Sequence, residues 1–163
     1  MSTPRGANSE SFGDERMSKE PIIVDASNLI LGRVASFAAK RALQGDEVVV
    51  YNAENAVISG TKANIVEEAK RRLRTRTLAA QYKAPTHPRR PDTYVRRVIR
   101  GMLPRKKPKG RAAFRRIRVY IGTPEEYRDK STVKIPGAEA SKLRCKHITV
   151  GELSGEIGGP FKA

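Results

Sequence analysis

The chain has 163 residues, with 33 Lys and Arg against 17 Asp and Glu, a net charge of +16. That length suits one domain, whose core buries roughly two-thirds of the unfolded surface, and is too short for two comfortable ones. The charge exceeds what solubility requires and points to a polyanionic partner, while the single cysteine, Cys145, excludes an internal disulfide and fits a reducing cytosol.

Residues 1–20, "MSTPRGANSESFGDERMSKE", are polar and mixed in charge, and read as a disordered leader without the apolar core of a signal peptide. Met17 stands just before the first strand, so some or all native molecules are expected to begin there or just after it. Residues 21–163 are expected to form one domain. "IIVD" (Ile22–Asp25) and "EVVVYN" (Glu47–Asn52) are β-branched runs without alternation, as in strands buried on both faces of a parallel sheet. Between them Leu31, Val34, Ala35, Ala38 and Ala42 repeat at helical spacing, and Gly45 supplies the stop. Gly32 is expected to allow close helix–sheet packing.

"AVISG" (Ala56–Gly60) predicts a third strand, and Thr61 caps a helix to about Arg76 with Ile65, Ala69 and Leu73 inward. Glu67 and Glu68 precede Arg71 and Arg72 by four residues, the favourable order for helical ion pairs. Three prolines deny regular structure to "TLAAQYKAPTHPRRP", and the segment Leu73–Asp92 is expected to be mobile in the free protein. Asp92 is expected to cap a helix through Met102, with Val95, Val98, Ile99 and Met102 on the apolar side. Pro104 ends it. A short helix over about Arg111–Ile117 and a strand at "RVYIG" (Arg118–Gly122) follow. From about residue 123 the chain reads as irregular, with a helix start at Thr123-Pro124 and a strand-and-turn piece at "HITVGELSGEIGG". Strands alternating with helices predict a single three-layer α/β domain.

The charge is segregated. Nineteen of the Lys and Arg residues lie between Lys70 and Arg118 with one acid, Asp92, so this stretch carries +18 and the rest of the chain −2. A solvated helix face would mix both signs, whereas a one-sign block is the footprint of a polyanion-binding surface. Met102 and Leu103 are expected to pin the turn between the two basic clusters, so that both face one partner.

Enzymatic chemistry is poorly supported by these residues. There is no phosphate-binding G-x-x-x-x-G-K-[ST] loop, no G-x-G-x-x-G after a strand and no H-E-x-x-H. One Cys and two distant His, His87 and His147, make no metal-ligand cluster, and nothing calls for a cofactor. Asp25 at a strand end reads as a cap or ion-pair member rather than a catalyst, and Cys145 lacks a positioned base. Binding remains. Arginine suits phosphate forks and base stacking. Tyr82, in the loop, is the better stacking candidate, because Tyr94 and Phe114 fall on the apolar sides of their helices. The residues expected to contact the polyanion are Arg71, Arg72, Arg74, Arg76, Tyr82, Lys83, Arg89, Arg90, Arg96, Arg97 and Arg100. Gly101, Arg105, Lys106, Lys107, Lys109, Arg111 and Arg115 continue the set across the turn.

The stretch "GMLPRKKPKGRAAFRRIRVYIG" resembles the signature of the universal large-subunit ribosomal protein L-thirteen family: Gly-Met-Leu-Pro, a basic run, Gly-Arg, an Ala/Phe helix turn and a strand ending in Tyr-x-Gly. "VDASNLILGRVAS", "VVVYNAENAVISG" and "RRVIRGMLP" agree in order, so the similarity runs from about Ile22 to Gly122. The later "ITVGELSGEIG" and the missing bacterial-type central segment resemble the archaeal and eukaryotic branch, archaeal preferred. Arg105 departs from relatives that often carry His there, so no pH-sensitive contact is expected. The resemblance implies an α/β/α domain with a four-stranded, mainly parallel sheet and no enzymatic activity. It implies a cytoplasmic ribosomal protein of the translation machinery that binds large-subunit ribosomal RNA early in ribosome assembly. Ribosomal protein L-three is the implied neighbour; no membrane contact and no homo-oligomer are expected. A nucleic-acid-processing enzyme and a general DNA-compacting protein are the competing readings.

Overall fold

β-Branched runs become short strands here, and stretches with apolar residues every three or four positions become helices. The computed structural model describes residues 20–160 except 76, 78 and 79, so the leader before Glu20, the expected start at Met17 and the candidate Arg76 lie outside the described residues. In chain order the elements are β1 (Ile22–Asp25), α1 (Leu31–Gln44), β2 (Val48–Tyr51), β3 (Val57–Ser59), α2 (Lys62–Arg74) and α3 (Pro91–Gly101). Then come α4 (Pro108–Arg115), β4 (Ile117–Val119), β5 (His147–Thr149) and α5 (Val150–Glu156).

β1, β2 and β4 form a parallel sheet in that order, with Ile22 opposite Val48 and Val48 opposite Ile117. Alternate residues point to opposite faces. Val24, Val48, Val50 and Ile117 face the main core, built with Val34, Ala35, Ala38 and Ala42 of α1 and Val95 and Ile99 of α3. The alanines leave no bulk between α1 and the sheet. Ile23, Val49 and Tyr51 face the other way and pack against Tyr127 and Tyr120. Both faces are buried, which is why these strands lack polar alternation. Gly45 ends α1 at φ 107°, its N–H on the Ala42 carbonyl.

The protein is thus an α/β domain with a parallel sheet, but three strands make that sheet rather than the expected four. β3 pairs instead with β5, antiparallel, Val57 opposite Thr149. The cause is local. Asn28 (φ 55°) and Asn52 (φ 53°) turn the chain sharply after β1 and β2. Beyond those turns Val57 touches the parallel sheet's chain through the Leu29–Ile30 continuation of β1, its N–H 2.8 Å from the Leu29 carbonyl. The outer edge of β1 itself receives the Val133 N–H on the Ile23 carbonyl at 2.8 Å. The second sheet face is covered by the 3-10 turn Glu125–Tyr127 and irregular chain, where a helical layer was expected.

Several boundaries also differ from expectation. α3 opens at Pro91, with Arg90 as the capping residue, so Asp92 sits inside the first turn and pairs with Arg90 at 3.2 Å. α4 begins earlier, at Pro108, and Ile117 belongs to β4. Thr61 precedes α2 without donating or accepting a capping hydrogen bond through its side chain. Gly32 is exposed, with open space where a Cβ would stand, so it permits no close packing. The "VGELSGE" stretch is helix α5, not a turn; Thr149 caps it by accepting the Glu152 N–H at 3.1 Å.

Candidate nucleic-acid interface

Helical periodicity on α3 buries Val95 and Ile99 and turns Arg96, Arg97 and Arg100 outward. At its end Leu103, 6% exposed, inserts into the main core, whereas Met102 is 43% exposed. The pin is therefore Leu103 alone, a correction to the expected Met102–Leu103 pair. The turn that follows is closed by the Arg105 N–H on the Leu103 carbonyl and the Lys107 N–H on the Pro104 carbonyl, at 2.7 and 3.0 Å. Gly110 of α4 then packs directly on Pro104. Arg105, Lys106 and Lys107 are exposed on this locked turn, with Lys109, Arg111 and Arg115 exposed on α4. Arg116 points inward instead, its Nη1 3.4 Å from the Ala42 carbonyl.

The proline-rich loop is tied to the domain at its C-terminal end. The Arg97 guanidinium donates to the Thr86 carbonyl. The Ser154 hydroxyl, on a residue only 2% exposed, donates to the Arg89 carbonyl at 2.6 Å. His87 Nε2 lies 3.4 Å from the Thr75 carbonyl. Between Thr86–Arg90 and α3 runs a groove of about 660 Å³ lined by Arg89, Arg90, Arg96, Arg97 and Arg100, with Pro88, Phe114 and Pro160 among its walls. The Arg96 guanidinium lies 4.8 Å from the centre of the Phe114 ring. Phe114 is half-buried, so it serves both the core and this groove; its sequence position on the apolar side of α4 hid the second contact. Partial burial, then repulsion from Arg97 and Arg105, pushes Arg100 below the usual arginine range. Charge this crowded favours an anion.

The arginines of α2 are not gathered there. Arg72 pairs with Glu68, as the spacing predicted, and lines an apolar groove towards α3 with Tyr94, Val98 and Gly101. Arg71 and Arg74 lie beside Lys62 and Lys70 on a different groove, of about 750 Å³, bordered by Glu67 and Glu156. Lys62 and Glu156 pair across it at 2.8 Å. Tyr82 is 85% exposed, with the Lys83 ammonium 5.5 Å from its ring centre. The predicted residues thus form a main cluster on the loop, α3, the turn and α4, a second one along α2, and an outlying Tyr82–Lys83 pair.

Other candidates have structural roles. Asp25 accepts the Ser27 N–H and the Asn52 Nδ2 amide, both at 3.0 Å, which ties together the ends of β1 and β2. Cys145 is exposed, and no His, Cys, Asp and Glu group suited to a metal occurs among the described residues. No helix among them is long and apolar enough to cross a membrane.

Comparison with known proteins adds an independent finding. Residues 19–126 match the family model of ribosomal protein L13. The chain is 44% identical over 140 residues to large ribosomal subunit protein uL13 of Methanococcoides burtonii, covering 85% of this chain and 99% of that protein. Large ribosomal subunit protein uL13 of Methanopyrus kandleri is 44% identical over 143 residues, 86% of this chain and 88% of the relative. That of Sulfurisphaera tokodaii is 42% identical over 144 residues, 88% and 98% respectively.

Proposed function

Since this chain belongs to the ribosomal protein L13 family, a family of ribosomal structural proteins rather than enzymes, we propose that its basic surface binds and stabilises large-subunit ribosomal RNA during assembly. The observation that carries this reading is the five-arginine groove beside the locked turn Arg105–Lys107. A turn pinned by Leu103 and braced by Gly110 presents its cations in a fixed shape, so binding loses less conformational entropy than a flexible basic tail would. Arginine forks then take phosphates in pairs, and the phosphates relieve the repulsion that crowds Arg97, Arg100 and Arg105.

The second cluster, Arg71 and Arg74 with Lys70, lies on a different groove and serves a separate stretch of the same RNA. Tyr82 and Lys83 extend the contact from the loop. The protein acts in the cytoplasm without forming a homo-oligomer, beside neighbouring ribosomal proteins. The resemblance names L-three as one neighbour.

Binding of the full chain to large-subunit ribosomal RNA at increasing salt tests the proposal. If six cationic side chains meet phosphates, log K falls against log salt with a slope of about −5. A slope near zero would reject an electrostatic RNA contact.

A further inference from the structure

Charge explains the rim of the groove between Thr86–Arg90 and α3, but not its aromatic wall. We propose that this groove seats one unpaired nucleotide of the bound RNA, its base stacked on the Arg96–Phe114 pair and its flanking phosphates held by Arg97 and Arg100. The inference rests on the RNA-binding reading and deepens it from a charged surface to a recognition site for a structural feature.

Three observations support it. First, the Arg96 guanidinium, 4.8 Å from the Phe114 ring centre, is within cation–π range, so Phe114 holds it in place. Arg96 is exposed and both residues line the groove, so the pair is accessible to a second planar group. Bases splayed out of RNA stack on arginine planes and aromatic rings in this way, whereas the bases inside a paired A-form helix are stacked on one another and present only their edges. Second, no carboxylate among the described residues lines the groove; the adjacent acid, Asp92, is paired with Arg90 at 3.2 Å. The remaining guanidiniums are left for phosphates. Third, the groove is formed before binding. Ser154 and Arg97 hold the backbone of Arg89 and Thr86, and a Cβ at Gly159 would fall 2.6 Å from the Arg89 carbonyl oxygen. Its volume of about 660 Å³ lies within the ordinary range of small-ligand sites, about 300–1,000 Å³.

The test uses the full chain and two RNA hairpins of equal length, one perfectly paired and one with a single bulged 2-aminopurine. The wild type is expected to prefer the bulged hairpin and to quench its fluorescence by stacking. Phe114→Leu keeps apolar volume against the core but removes the ring. Arg96→Gln alters an exposed residue and so leaves the fold intact. Each is expected to lose about tenfold in affinity for the bulged hairpin and to abolish quenching, with little change for the paired one. Lys106→Ala with Lys107→Ala should weaken both hairpins alike. A bulge preference that survives in both groove variants, or that the wild type lacks, overturns the nucleotide site while leaving electrostatic RNA binding intact. Failure of the wild type to bind either hairpin would overturn the RNA-binding reading and this inference with it.

Discussion

Gly110 lies so close to Pro104 that a Cβ added to it would stand 2.2 Å from the Pro104 carbonyl oxygen and 2.5 Å from its carbon. These are backbone atoms of the turn that carries Arg105, Lys106 and Lys107, so they cannot swing aside as a side-chain end would. The glycine is what lets α4 start against the end of α3. It also fixes the angle between the two groups of cations.

Gly110→Ala should therefore destabilise the domain. Alanine's better helix propensity, about 1 kcal/mol, favours the variant, but overpacking of about 1–3 kcal/mol or more opposes it. With backbone on both sides the clash should win. Thermal unfolding checks this: the melting temperature should fall by several degrees, and a rise would show that the turn moves freely.

Leu103 and Met102 should separate cleanly. Leu103→Asp places a carboxylate in the main core, with a cost of several kcal/mol, enough to lose most of a small domain's stability. Met102→Ser changes an exposed side chain and should stay within about 0.5 kcal/mol. Equal melting temperatures for the two variants would mean that Leu103 does not pin the turn.

The cations on the turn and at the start of α4 should matter for RNA and not for folding. Replacing Arg105, Lys106, Lys107 and Lys109 by Ala removes exposed charges that contribute little to stability. If all four meet phosphates, the salt slope of RNA binding should become shallower by about 3 to 4. Titrations at several salt concentrations, beside a melting curve, read both effects.

The Lys62–Glu156 pair predicts a pH dependence. Its hydrogen bond holds the Glu156 carboxyl below its ordinary value of 4.5 and the Lys62 ammonium above 10.5. A lowered carboxylate adds stability above its unfolded value and loses it as pH falls through the folded one; a raised ammonium adds stability below its unfolded value and loses it as pH rises through the folded one. The melting-temperature difference between wild type and Glu156→Gln should thus be small, constant from about pH 5 to 10, and gone in strong acid. Because both groups are solvent-exposed, salt should also shrink it. A difference that persists in strong acid would assign the effect to packing instead.

Local pattern carried much of this fold into view. The apolar runs of β1 and β2, the helical spacing from Leu31 to Ala42 and the outward arginines of α3 depend on residues close in sequence, and the structure places them as the pattern predicts. β3 was harder, because its partner β5 is distant in the chain and its exclusion from the parallel sheet depends on two left-handed asparagines. α5 was hidden by Gly151 and Gly155, which lower helix propensity, although Thr149 and Glu152 spell a capping signal that could have revealed it. Segregated charge marked the candidate interface as a region. Its division into separate grooves was not legible, since only packing shows which groove Arg71 and Arg72 each line. The expected mobility of Leu73–Asp92 also needs revision near its end, where Thr86 and Arg89 are held by contacts from α3 and α5. Trypsin should cut after Lys83 well before it cuts after Arg89.

Sucrose-gradient fractionation of native lysate, after a moderate-salt wash and with the chain followed by mass spectrometry, tests the central claim most directly. A structural component held by many phosphate contacts and a fixed turn should co-migrate with the large ribosomal subunit in near-equal amount to its other proteins. Recovery at the top of the gradient, or with chromosomal DNA, would contradict the account.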